Sequence, residues 1–468
     1  MEERTELNRL LAPRAIAVIG ATSKPNRVGH IIFERLLGSG RPVYPVHPKE
    51  SEVLGEPVVP SIGELPDDVD VAVITIGAGR AVQAAEDCGR RGIPFAIVVA
   101  GGFGEAGEEG LELEKRLRAI PAKSGTRLLG PNTLGLFVPS EDLDTIFVEH
   151  GDKALSKGGG VAFVTQSGSV GVEALGLASN IGFGMRAFVG LGNKCDLDEL
   201  DLLHHFADDE QTSCLAFYVE NLDRGREFLQ AAREASRRKP VVVLKAGRSE
   251  AGAAAVSSHT GRLAGSDRVL DGAFRQHGMQ RVFDDEELCD AARTLALLPP
   301  APGNRVAFVT PAGGYGVMGA DHVEVDRGRG GLQMARLSPQ TESRIREATL
   351  PFAAVSNPVD ITASADDEMF GASLDALLED DGVDIVICVS FFAPPAITYG
   401  LLDTVAERAT RSSKPVISFT EYGPFTDEYL RAFHDRGVVG FPSIGRAVRA
   451  ARFLVERAQI VEALGGSR

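Results

Sequence analysis

Short β-branched apolar runs alternate with longer helical stretches along nearly the whole chain. A strand that is apolar at every position, rather than at alternate ones, is buried on both faces. The pattern therefore predicts parallel sheets covered by helices on either side. The first unit opens on Ala15-Ile16-Ala17-Val18-Ile19-Gly20. Val43-Tyr44-Pro45-Val46, Val69 to Ile76 and Phe95 to Val99 continue it, with Gly-, Pro- and Asp-rich turns between. A second opens on Val161-Ala162-Phe163-Val164-Thr165 after Lys157-Gly158-Gly159-Gly160. A third opens on Val306-Ala307-Phe308-Val309-Thr310 after Leu298-Pro299-Pro300-Ala301-Pro302-Gly303. The expectation is an α/β chain of three consecutive doubly wound domains, spanning 1–150, 151–300 and 301–468.

The second and third openings are the same five letters, and each runs into a glycine-rich turn: Gln166-Ser167-Gly168-Ser169 and Pro311-Ala312-Gly313-Gly314. Later strands correspond too, Cys214 to Glu220 with Ile385 to Ser390, and Lys239 to Val243 with Lys414 to Ser418. A repeat of this domain-sized period indicates duplicated domains rather than a solenoid. In open α/β sheets the ligand lies beyond the carboxyl ends of the strands, where such turns lead into helices. Unpaired N–H groups and the helix dipole there suit phosphate. Three turns of this kind point to phosphate-bearing ligands.

Composition narrows the classes. The 468 residues carry a net charge of −16, which repels nucleic acid and anionic membrane surfaces as general partners. Five cysteines are scattered without a C-x-x-C pair and read as reduced, mostly buried thiols. The charged start Met1-Glu2-Glu3-Arg4 is unlike a signal peptide, and no apolar run reaches the ~18 residues of a membrane span, so the expected location is cytoplasmic. None of the nine histidines has metal-ligand spacing, and no metal site is expected.

The first turn, Gly20-Ala21-Thr22-Ser23-Lys24-Pro25-Asn26-Arg27-Val28-Gly29, lacks the G-x-G-x-x-G spacing of a dinucleotide site. The second strand ends at His47, where a nicotinamide-binding domain places an acidic residue. This disfavours a nicotinamide oxidoreductase. Lys24, Arg27 and Lys49 put positive charge near the strand ends, as a ligand with several phosphates needs, although each alone fits an ordinary surface residue.

The order Val18-Ile19-Gly20-Ala21, Val46-His47-Pro48-Lys49, Ala100-Gly101-Gly102-Phe103-Gly104-Glu105 and Leu129-Gly130-Pro131-Asn132 resembles the CoA-binding domain of the NDP-forming acyl-CoA synthetases. That superfamily includes succinyl-CoA synthetase and the ADP-forming acetate–CoA ligases. The resemblance implies a Rossmann-like CoA-binding domain followed by two flavodoxin-like ligase domains. It also implies that Gly20, Ala21, Ser23, Lys24, Val46, Pro48, Lys49, Ala100 and Gly101 cradle coenzyme A, with Asn132 closing the domain near a phosphate site. Ile76-Gly77-Ala78 departs from the Val-Pro-Ala usual in the family.

His259 lies in Ser249 to Asp267, small-residue text after the strand Val241-Val242-Val243-Leu244. Few large apolar side chains and several glycines read as a loop with a low cost of opening. A neutral imidazole near pH 7 is a nucleophile, but the composition alone is equally that of a surface loop with an incidental histidine. Ser257-Ser258-His259-Thr260-Gly261 and Leu263-Ala264-Gly265-Ser266-Asp267 resemble the family's phosphohistidine loop, with Arg262 where a small residue is usual. The resemblance makes His259 the phosphoryl carrier and Glu220 the carboxylate that orients it, and it seats phosphate on the helix start at Ser167 and Gly168. Gly190-Leu191-Gly192-Asn193-Lys194-Cys195-Asp196 also matches a family stretch, without an assignable role.

The implied reaction is acid + ATP + CoA ⇌ acyl-CoA + ADP + phosphate, through a phosphohistidine and an acyl phosphate. No stretch resembles an ATP-grasp domain, so ATP/ADP and Mg2+ are expected mainly on a separate ATP-grasp β subunit, in a hetero-oligomer. The alternative is a non-catalytic CoA- or acyl-CoA-binding regulatory protein of the same fold. No residue is tied to the acyl group, and acids from acetate to aryl acids are compatible.

Overall fold

The computed structural model describes residues 2–150, 159–182, 184–260, 266–325 and 331–465, without the side chains of 2–6, 179–181 and 257–260. Along the chain β1 (Ala15–Ile19) and β2 (Val43–Val46) precede a short hairpin of β3 (Glu52–Val53) and β4 (Glu56–Pro57). Then come β5 (Val69–Ile74), β6 (Phe95–Val98) and β7 (Arg127–Leu129). The first sheet is parallel throughout, in the order β2-β1-β5-β6-β7. All residues of β1 and β5 are buried, as their apolar text requires, except that β5 also buries Asp70, whose carboxylate accepts the Arg14 backbone N–H (2.9 Å) and guanidinium.

The chain continues with β8 (Leu136–Val138), β9 (Leu143–Asp144), β10 (Val161–Thr165), β11 (Met185–Gly190), β12 (Cys214–Val219), β13 (Val241–Lys245) and β14 (Gln280–Val282). The second sheet runs β14-β13-β12-β10-β11-β8-β9, with β8 antiparallel to β11. The third is built from β15 (Arg305–Thr310), β16 (Gln333–Met334), β17 (Val359–Asp360), β18 (Ile385–Val389), β19 (Val416–Phe419) and β20 (Val439–Phe441), in the order β16-β15-β18-β19-β20, with β17 also against β15.

The doubly wound α/β expectation is borne out, and one connectivity occurs three times. In each sheet the opening strand lies between the second and third parallel strands, leaving a switch point between β1 and β5, β10 and β12, and β15 and β18. One expectation is corrected. Strands β8 and β9 fall before residue 150, yet they extend the second sheet, so the chain leaves the first sheet ahead of the expected boundary. Strands of two or three residues carry too little periodicity to announce themselves.

The chain forms two compact units. One comprises Met1–Gly176, Gly184–Ala235 and Val241–Asp285 and holds the first two sheets. The other comprises Leu177–Phe183, Ser236–Pro240 and Glu286–Arg468 and holds the third. Within the first unit a single apolar cluster runs from Ile16, Val18 and Phe33 to Leu136, Val189, Phe206 and Phe217. Shared packing of that kind fixes the two sheets against each other, because close-packed interiors resist relative shifts.

Candidate active site

The second sheet's switch point begins at Thr165. Its hydroxyl accepts the Ser167 N–H (3.1 Å) and donates to the Ser167 carbonyl (2.8 Å), which turns the chain sharply out of β10. The helix Gly168–Ile181 starts there. Ser167 Oγ lies 3.4 Å from the Val170 N–H and 3.1 Å from Ser169 Oγ, an N-cap arrangement. Gly168 and Ser169 are exposed, so the first-turn N–H groups face an open recess.

Across the switch point the turn after β12 carries Glu220, 6% exposed, and Asn221. Two side chains hold this turn. Gln166 accepts the backbone N–H of Glu220 and of Asn221 (3.1 Å) through Oε1, and donates from Nε2 to Asn221 Oδ1 (2.9 Å). Lys194 Nζ donates to the Asn221 carbonyl and to Glu199 Oε2, both at 2.9 Å, in an ion pair whose side chains are each 1% exposed. Burial pushes the Glu199 carboxyl above its ordinary range, against the pull of Lys194. Tyr218 donates to Glu220 Oε1 at 3.4 Å, and burial together with that carboxylate pushes the phenol up. The carboxylate of Glu220 thus projects from a backbone held from two sides.

The first sheet reaches the same recess. Asn132, in the left-handed region at φ 57, donates its N–H to the Ala100 carbonyl (3.0 Å), and its Oδ1 lies 3.1 Å from the position of a Cβ on Gly101. Glu105 accepts the N–H groups of Gly102 (2.6 Å) and Phe103 (3.2 Å) and the Asn193 amide (2.6 Å). Partial burial works against its charge, but these donors outweigh it and hold the carboxyl below the usual range. Asn132, Glu105, Asn193, Gln166, Ser167, Gly168 and Glu220 line one cavity of about 260 Å³, whose apolar wall is Val99, Leu134 and Phe147.

The other residues expected at coenzyme A lie elsewhere, at the carboxyl ends of β1 and β2. Gly20 has φ 93, and a Cβ on Gly29 would stand 2.1 Å from the Gly20 carbonyl oxygen, so backbone meets backbone at the start of the helix Val28–Leu37. That helix has no side-chain cap and no acidic residue in its first turn. Exposed Lys24, Arg27 and Lys49 lie beside it in sequence or on the neighbouring strand end. An uncapped, cation-flanked helix start suits the phosphates of coenzyme A. Ala21 and Val46 are buried beneath the turn, and Pro48 is exposed. Ser23 and Thr22 are both engaged by Glu50, through bonds of 2.6 Å from each hydroxyl, and these bonds hold the Glu50 carboxyl down at about 2.

The loop expected around His259 is corrected in part. Residues Glu250–Thr260 form an α-helix, so the backbone of His259 is helical and not irregular chain. Ala253-Ala254-Ala255 have the strongest helix propensity of all residues, and that signal outweighs the absence of an apolar face. The side chain of His259, its pairing with Glu220 and residues 261–265 lie outside the described residues.

Gln166, Lys194, Asn193, Glu105 and Glu50 were not singled out as functional. Gln166 could have been found from its place beside Ser167 in the repeated turn. Asn193 and Lys194 carry a mark in the Gly190–Asp196 stretch that resembles the family, and the carboxylate open to Lys194 there is Glu199.

Three family profiles match the chain in order: a CoA binding domain at residues 14–139, a succinyl-CoA ligase like flavodoxin domain at 158–295 and a ligase-CoA domain at 306–458. The α subunit of acetate–CoA ligase (ADP-forming) II from Pyrococcus furiosus is 35% identical over 463 residues, covering 97% of this chain and 98% of that one. The chain belongs to the NDP-forming acyl-CoA synthetase superfamily. Within this superfamily, acetate–CoA ligase (ADP-forming) I of Archaeoglobus fulgidus is 37% identical over 96% of this chain, which spans 63% of that longer protein. Among solved structures, acetyl-coenzyme A synthetase 1 of Ca. Korarchaeum cryptofilum, described as dinucleotide forming and in complex with phosphate and ADP, superposes with a TM-score of 0.89. It is 33% identical over 99% of both chains.

The duplication shows what makes the synthetase turn at Ser167 distinctive. Thr310 repeats the Thr165 geometry, accepting the Ala312 N–H (2.9 Å) and donating to the Ala312 carbonyl (2.8 Å). Ladder register aligns Ser167 with Ala312 and Glu220 with Phe391. The third sheet thus keeps the fold of the turn without the hydroxyl or the carboxylate. Among the described residues no cluster could hold a metal ion, and no helix is long and apolar enough to cross a membrane.

Proposed function

We propose that this chain is the α subunit of an ADP-forming acid–CoA ligase, interconverting acid, ATP and CoA with acyl-CoA, ADP and phosphate. The observation that carries the reading is the single cavity joining the Ser167–Gly168 helix start, Glu220 and the first sheet's Asn132. His259 takes the γ-phosphoryl group of ATP on one imidazole nitrogen, and ADP leaves. Glu220 accepts the N–H of the other ring nitrogen, which fixes the tautomer and stabilises positive charge on the ring. The helix start at Ser167 and Gly168 holds the phosphoryl oxygens while the acid's carboxylate attacks phosphorus and the His259–phosphorus bond breaks. Coenzyme A, when bound, supplies the thiol that displaces phosphate from the acyl phosphate.

Gly20, Ala21, Ser23, Lys24, Val46, Pro48 and Lys49 hold the nucleotide end of coenzyme A, and Ala100, Gly101 and Asn132 lead toward the cavity. The ATP site and its Mg2+ belong to a separate ATP-grasp β subunit. Two comparisons support this division: the chain matches almost the whole of a protein named an α subunit but 63% of a longer ligase.

The test is co-purification with an ATP-grasp partner, followed by incubation with γ-labelled ATP and an acid screen. Wild type becomes labelled and forms thioesters. His259→Ala binds CoA but shows neither. A wild-type assembly that binds CoA and never takes label would overturn the ligase reading in favour of a CoA-sensing protein.

A further inference from the structure

The stretch Gly190 to Asp196, which carries Lys194, also spans the two halves of the cavity. At one end the Leu191 N–H donates to the Thr165 carbonyl (2.7 Å), next to the phosphate-binding turn. At the other, the N–H groups of Asn193 and Cys195 donate to the carbonyls of Pro131 and Gly130, both at 2.9 Å. Gly192 between them has φ 58, and a Cβ there would stand 2.3 Å from the Pro131 oxygen. The backbones can approach this closely only with glycine.

The side chain of Asn193 uses every polar atom at this junction. Nδ2 donates to Glu105 Oε2 (2.6 Å) and Glu114 Oε2 (3.0 Å), and Oδ1 accepts from Asn132 Nδ2 (3.3 Å). Each partner holds a different piece of the first sheet's loops. Glu105 gathers the N–H groups of Gly102 and Phe103. Glu114 takes that of Gly104 (3.1 Å) and is paired with Arg118. Asn132 is bonded to Ala100. Two carboxylates converging on one nitrogen need a donor with two protons, and among the small side chains an amide supplies it.

We infer that Asn193 is a positioning residue, fixing the Ala100–Glu105 loop, and with it the thiol end of coenzyme A, against the Ser167 helix start. The inference rests on the ligase reading. It assigns Asn193 chiefly to the CoA-dependent half of the reaction, because its bonded partners Glu105, Glu114 and Asn132 all belong to the first sheet's loops. Asn193→Asp keeps the shape but brings a third carboxylate to Glu105 and Glu114. In the double variant Asn193→Asp/Glu105→Gln, residue 105 still accepts the Gly102 and Phe103 N–H groups and now donates to residue 193.

The assembled ligase with its ATP-grasp partner is assayed in two half-reactions. Asn193→Ala and Asn193→Asp should lose far less in labelling from γ-labelled ATP than in kcat/KM for CoA, which falls at least about tenfold, the loss expected from two charge-assisted hydrogen bonds. The double variant should recover part of that loss, since Glu114 still faces the carboxylate at 193. Wild-type kcat/KM for CoA in Asn193→Asp would overturn the inference. So would equal loss of labelling and CoA turnover, which marks a merely structural residue. A wild-type assembly that takes no label would instead sink the ligase reading, and this assignment with it.

Discussion

Replacing Lys194 by alanine tests the frame behind Glu220. The lysine ammonium and Glu199 form a pair with both side chains 1% exposed, and the same ammonium carries the Asn221 carbonyl at 2.9 Å. Lys194→Ala leaves a buried carboxylate without its cation and a buried carbonyl without that donor. Removing one partner of such a pair costs about 3–5 kcal/mol, far more than the pair contributes relative to apolar residues of the same size. Against the ~5–15 kcal/mol that holds a domain folded, this is a large fraction.

The cost depends on pH in a defined direction. Burial already holds the Glu199 carboxyl above its ordinary 4.5 with Lys194 present, and without the lysine it rises further. Between the unfolded and folded values the native state binds more protons than the unfolded chain, so stability falls as pH rises through that window. The penalty should therefore be smallest below about pH 4.5 and grow toward neutrality. Because the chain has no tryptophan, urea unfolding is followed by far-ultraviolet circular dichroism, wild type against variant across pH. Lys194→Met/Glu199→Leu, which removes both charges, should regain most of the stability and still form phosphohistidine slowly, since the Asn221 carbonyl stays without the Lys194 donor. A Lys194→Ala cost under about 1 kcal/mol, or one that grows as the pH is lowered, would refute the buried-pair argument.

Three further outcomes are expected. Gly29→Ala places a methyl 2.1 Å from the Gly20 oxygen, so the turn must shift; stability should fall by about 1–3 kcal/mol, and calorimetric titration should show CoA affinity lost before acid turnover is considered. Glu220→Gln keeps the shape but not the charge, and phosphorylation of His259 from γ-labelled ATP should slow by about 10²-fold or more with CoA affinity unchanged. Ser167→Ala removes the hydroxyl that meets the Val170 N–H and Ser169; it should cost about 1 kcal/mol in unfolding experiments and raise the KM for phosphate in the reverse reaction.

The order of residues along the chain specifies three doubly wound sheets, because strands buried on both faces are written as apolar runs, and VAFVT opens two of them. It also determined the turns at Gly20 and Ser167, where strand text meets glycine and a helix begins. Two readings failed for local reasons. The alanines before His259 carry no apolar stripe and so read as loop, although their backbone preference is helical. Strands β8 and β9 were missed because they are too short to show a period.

Only the tertiary structure decided which of these turns share a cavity. Ser167, Glu220 and Asn132 are far apart in sequence, and they converge because the first two sheets pack through one core. Only the fold, too, gave roles to Lys194 and Asn193. A buried ion pair and a three-way amide bridge depend on distances of about 3 Å between groups on separate loops and helices. Periodicity along a chain records which face a residue lies on, not which residue it meets across the sheet.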